Sequence, residues 1–123
     1  MPNFNMGDEL LKTVIWVGPS KNELLRFTED VIDEVGYILY RVQKNQNHPH
    51  IKPLKELNGV FEIVSDYKTD PYRTVYAVKL GNTIYVLHAF KKKSKTGIKT
   101  PKQTMDLIKE RLKQAQEIAK QQD

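Results

Sequence analysis

The chain has 123 residues, 39% of them hydrophobic and 28% charged, with a formal charge of +5. That size suits one domain, and the composition suits a packed core, not a disordered chain. Cysteine is absent, which excludes disulfides, thiolate nucleophiles and zinc–cysteine sites, and no apolar stretch approaches the roughly 18 residues of a membrane span.

Residues 1–11 read as a loosely tied leader without the apolar core of a secretion signal, so a cytoplasmic protein is expected. Lys12 to Val17 is short, β-branched and aromatic, and it stops at Gly18-Pro19, which predicts a strand. Ser20 followed by Glu23 has capping-box spacing and opens a short helix carrying Leu24, Leu25 and Phe27. Thr28, Glu29 and Asp30 start a second helix with acids at its positive end. Its apolar stripe is Val31, Val35, Ile38, Leu39 and Val42, and Gly36 weakens it without breaking it. Lys44 to His50 is polar and ends that helix. His48 and His50 flank Pro49 there, and no metal is expected.

Three strands follow, Gly59 to Asp66, Tyr72 to Leu80 and Thr83 to Phe90, each rich in Val, Ile, Tyr or Phe. Tyr67 to Pro71 reads as a longer loop, and Gly81-Asn82 as a tight hairpin turn. Thr100-Pro101-x-Gln103 then starts a last helix, striped by Met105, Ile108, Leu112, Ala115 and Ala119. The fold class is therefore α+β: a mostly antiparallel sheet of about four strands, two N-terminal helices and one C-terminal helix, with the helices expected on one face.

The tight turn sets a register. It pairs Lys79 with Ile84, Ala77 with Val86, Val75 with His88 and Arg73 with Phe90. Arg73, Val75, His88 and Phe90 then share one face, and Glu62 falls on the other, which makes it a poor base. The segment Lys91 to Lys102 adds six lysines and no acid. An arginine fork, a histidine, an aromatic ring and a lysine cluster suit an RNA backbone. Arg73 can grip phosphate oxygens, His88 has the ordinary pKa of an acid–base group, Phe90 can stack on a base, and Lys91, Lys92, Lys93 and Lys95 supply charge. All but Arg73 have a plainer reading: His88 and Phe90 as core residues, the lysines as a solvated loop, whereas an arginine on that face is rarely buried without a partner.

The strings Tyr72-Arg73-x-Val75-Tyr76 and His88-Ala89-Phe90-x-Lys92-Lys93, with Lys99-Thr100-Pro101 beyond, resemble the phage-derived HigB-like branch of the RelE toxin superfamily. Leu54-Lys55-Glu56-Leu57, Val60-Phe61-Glu62-Ile63 and Val14-Ile15-Trp16 fit the same branch. The resemblance spans about residues 12–115 of a single domain. It implies a metal-independent, cofactor-free endoribonuclease that cuts mRNA in the A site of the 70S ribosome. It also implies a cognate helix-turn-helix antitoxin as partner. By position it makes Arg73 the phosphate-binding strand arginine and Lys92 and Lys93 the basic pair after the last strand. Lys52 and Lys55 fall where relatives carry catalytic or RNA-binding lysines. Some RelE members carry a C-terminal tyrosine, and this chain has none after Tyr85. The reading from another class is a non-catalytic basic module, a degenerate homologue that binds RNA or protein.

Overall fold

The computed structural model describes residues 11–78, 82–93 and 100–121. These form strands β1 (Thr13–Trp16), β2 (Ile51–Pro53), β3 (Val60–Tyr67), β4 (Asp70–Ala77) and β5 (Thr83–Lys91), and helices α1 (Ser20–Leu25), α2 (Glu29–Gln43) and α3 (Lys102–Gln121). The strands make one five-stranded sheet in the order β1-β5-β4-β3-β2. The pair β1–β5 is parallel and the others are antiparallel. Among the described residues no helix is long and apolar enough to cross a membrane.

The stripes expected of the two long helices are buried as expected, but the helices do not share a face of the sheet. Val31, Val35, Ile38, Leu39 and Val42 of α2 pack with Leu24 of α1 against Ile63, Tyr72, Tyr76, Ile84, Val86 and Ala89. Met105, Ile108, Leu112, Ala115 and Ala119 of α3 pack against Val60, Val75, Ala77, Tyr85 and Leu87 on the opposite side. The cause lies in β4 and β5, whose side chains are buried on both faces along most of their length. A sheet apolar on both sides needs a layer on each. Ile38, Ile63, Leu87 and Ile108 are fully buried, and each such burial stabilises by about 1.5–3 kcal/mol.

The hairpin chemistry also differs from the sequence reading. The tight turn lies between β3 and β4, where Tyr67 pairs with Asp70 and Lys68 adopts a left-handed φ of 56°. The loop expected at Tyr67 to Pro71 is therefore strand and turn. The expected Gly81-Asn82 turn, with Lys79 and Leu80, lies largely outside the described residues. Between β4 and β5 the pairs Arg73–Phe90 and Val75–His88 form as expected, but Ala77 pairs with Tyr85 and not with Val86. A bulge at Leu87 accounts for the shift. Tyr85, Leu87, His88 and Phe90 thereby all lie on the α3 side of the sheet.

At the start of the chain, Ser20 is a helical residue and not a cap. Its hydroxyl is buried and donates to the Val86 carbonyl at 3.0 Å. Gly18, at φ 54°, turns the chain from β1 into α1, a conformation that favours glycine.

Candidate functional site

The β3–β4 register decides which side chains meet. It sets Val64 opposite Arg73 and Glu62 opposite Val75, and on the other flank of β3 it sets Lys52 opposite Glu62. Alternation then puts Lys52, Glu62, Val64, Asp66 and Arg73 on the α3 side. Glu62 is thus beside Arg73, correcting the expectation that it faces away. That expectation failed because it took the β3–β4 connection for a long loop.

Arg73 is buried, with Glu62 and Asp66 as its two diagonal neighbours on β3. Its Nη1 donates to Asp66 Oδ1 at 2.9 Å and to the Tyr72 carbonyl at 2.8 Å. Its Nε lies 3.5 Å from Glu62 Oε1. These groups line an open groove of about 450 Å³ bounded also by Lys52, Lys55, Glu56, Lys92 and Thr100. Four cations thus face three carboxylates around it. Lys92 is held there by its backbone N–H, which donates to the Pro71 carbonyl at 2.8 Å and prolongs the ladder beyond β5.

Burial raises the pKa of the Glu62 carboxyl above the usual value, with Arg73 and Lys92 opposing the rise and Glu56 adding to it. A carboxylate so placed is a better proton acceptor than a solvated one. It stands beside an arginine able to hold phosphate oxygens.

The groove therefore brings together Arg73, Lys92, Lys52 and Lys55 of the residues singled out from sequence. It does not gather the rest. Lys91 pairs with Tyr72 in the ladder, on the α2 side of the sheet, and its Nζ lies 3.9 Å from Asp70. Lys93 is exposed and is not among the residues lining the groove. Lys95 and Lys99 lie outside the described residues. Phe90 packs partly against the α3 core and stacks on His88 at 4.8 Å between ring centroids.

His88 belongs to a second polar cluster. Its Nδ1 lies 2.8 Å from Glu23 Oε1 and 3.1 Å from Arg111 Nη1. Arg111 is buried on α3 and donates to both oxygens of Glu23, at 2.8 and 3.0 Å, and to the Leu87 carbonyl at 2.9 Å. The Ala89 N–H donates to Glu23 Oε1 at 3.3 Å. Burial lowers the pKa of His88, Arg111 lowers it further, and Glu23 only partly offsets them. This cluster joins α1, β5 and α3. His48 and His50 form a surface pair, with His50 Nδ1 3.1 Å from Glu34 Oε1. Among the described residues no group of three or more His, Asp or Glu side chains is placed to hold a metal ion.

Residues 22–113 match the family described as Phage derived protein Gp49-like (DUF891). The chain belongs to that family. The Gp49-like family is of the RelE toxin type, in agreement with the resemblance carried by Arg73 and the Lys92-Lys93 pair. Among solved structures, the chain is similar to one from the toxin–antitoxin complex RelBE2 of Mycobacterium tuberculosis. The two are 19% identical, the match covers 68% of this chain and 93% of that one, and the TM-score is 0.47. No curated protein matches the sequence. The α+β architecture is the one expected from the sequence, with five strands where about four were expected. Glu62 was set aside in the sequence as a poor base and Asp66 was not singled out, and the signal that finds both is the register set by the turn at Lys68.

Proposed function

We propose that this chain is a ribosome-dependent mRNA endonuclease, the toxin of a toxin–antitoxin pair, neutralised by a cognate antitoxin. The observation that carries the reading is the juxtaposition of Glu62 and Arg73 in a lysine-lined groove. RNA cleavage without a metal needs a base for the 2′-hydroxyl, cations for the phosphorane charge and a donor for the leaving oxygen. In this reading Glu62 takes the 2′ proton, and the freed oxygen attacks the adjacent phosphorus. Arg73 holds the equatorial oxygens. The bond to the 5′-oxygen breaks as the Lys92 ammonium protonates it, leaving a 2′,3′-cyclic phosphate and a 5′-hydroxyl. Lys52 and Lys55 track the backbone on the β2 side. Membership in a RelE-type toxin family supports the substrate and the antitoxin partner.

The test is induced expression in bacteria without an antitoxin, followed by primer extension on cellular mRNA. Growth arrest with cuts inside translated codons is expected. Arg73→Lys, which keeps the charge but loses the fork, and Glu62→Gln should both abolish the cuts. Wild-type protein that accumulates in folded form, yet leaves growth and mRNA untouched, overturns the reading.

A further inference from the structure

In the free protein the arginine assigned to the phosphate already holds an anion. Arg73 Nη1 is 2.9 Å from Asp66 Oδ1, and Asp66 lies on the same groove. The two carboxylates flanking Arg73 differ. The Glu62 side chain is 17% exposed, whereas that of Asp66 is 41% exposed and stands one residue before the β3–β4 turn pair Tyr67–Asp70. Glu62 is packed within the sheet; Asp66 is at its open end.

We infer that Asp66 is an internal stand-in for a backbone phosphate, which an RNA strand must displace from Arg73 on binding. A buried guanidinium left without an anion is strongly destabilising. A carboxylate oxygen and a phosphate oxygen accept the same charge-assisted hydrogen bond. Exchange of one for the other keeps Arg73 compensated at every stage, while the bond to the Tyr72 carbonyl keeps the guanidinium aimed. The exposed side chain of Asp66 can swing into water, where its charge is solvated. Asp66 therefore sets affinity: it weakens the groove for loose RNA and yields only to a phosphate delivered in place. It acts through Arg73 and is a positioning residue.

The inference rests on the groove being the RNA site, and the experiment separates the two. The probe is a fluorescein-labelled single-stranded RNA of about ten nucleotides, fully 2′-O-methylated so that it cannot be cut. Its dissociation constant is measured by anisotropy at fixed salt. Asp66→Asn keeps the shape and removes the charge, and about fivefold tighter binding is expected, as for loss of a competing ion pair near 1 kcal/mol. Asp66→Ser provides a second variant should the asparagine perturb folding. Asp70→Asn removes the same charge from a residue outside the groove, so it measures the general electrostatic gain, expected under about twofold. If Asp66→Asn and Asp66→Ser bind no tighter than Asp70→Asn, the inference is overturned. If Lys52→Gln and Lys92→Gln bind as well as wild type, the groove itself is not the RNA surface and the underlying reading fails.

Discussion

Arg111 on α3 and Glu23 on α1 form a two-pronged ion pair, with both carboxylate oxygens held at 2.8 and 3.0 Å across a separation of 88 residues. Removing one partner of a buried pair strands the other, at a cost of about 3 kcal/mol. Arg111→Ala is therefore expected to lower Tm by about 10 °C. Arg111→Lys should recover little of this, because an ammonium cannot make the planar fork. Thermal unfolding by circular dichroism checks both; a change within about 2 °C for the alanine variant would refute the role.

The same cluster predicts acid sensitivity in two stages. The folded pKa of His88 is depressed by burial and by Arg111. As pH falls below about 6.5, the unfolded chain binds a proton that the folded one resists, so stability drops. Burial pushes Glu23 upward, but its hydrogen bonds with Arg111 and His88 outweigh this and hold its pKa below the usual value. Its contribution is complete above the ordinary carboxylate range, about 4.3, and is lost as pH falls through the lower folded value. Urea unfolding at pH 7.5, 5.5 and 3 should show both losses, and His88→Gln should remove the first and, by taking one hydrogen bond from Glu23, shrink the second.

If Glu62 is the base, cleavage must require its ionised form. Burial raises its pKa, so single-turnover cleavage of ribosome-bound mRNA should fall on acidification before a normal carboxylate would protonate. Glu62→Gln should lower the rate by about 10²- to 10⁴-fold and erase that acid limb. A pH profile unchanged in shape would assign the proton transfer elsewhere.

Gly36 sits within α2 with nothing within 4 Å of where a Cβ would lie. Alanine there should stabilise the fold by about 0.5–1 kcal/mol, by helix propensity and a less flexible unfolded chain. Chemical denaturation reads this as a higher midpoint. Cleavage should be unaffected, since α2 packs on the side of the sheet away from the groove.

The helices were legible because Val31 to Val42 and Met105 to Ala119 repeat at helical spacing over several turns. Their placement on opposite faces was not, because it depends on β4 and β5 being buried from both sides, and their Tyr, Thr and Ala positions do not declare that. β2 was missed as a strand because three residues ending at Pro53 carry no periodic signal. The Arg73–Phe90 and Val75–His88 pairs were legible for a partly accidental reason. The register drawn from Gly81-Asn82 is one residue off at Ala77, and the bulge at Leu87 brings it back. Glu62 was lost to the turn at Lys68, where an ordinary lysine takes a left-handed φ that glycine or asparagine would have announced. Glu23 with Arg111 could not be read at all, since nothing local links residues so far apart in sequence.

The strand β1 ends at Trp16 opposite Val86, while β5 runs on to Lys91. Beyond Val86, the Leu87 carbonyl and the Ala89 N–H are bonded by the Arg111 and Glu23 side chains. Two charged side chains thus stand in for the missing length of a strand. A chain cut short ahead of Arg111 loses more than a helix. It bares a raw sheet edge from Leu87 to Phe90, beyond the reach of β1, and such an edge recruits further strands. Truncated forms of this protein should therefore self-associate before they unfold.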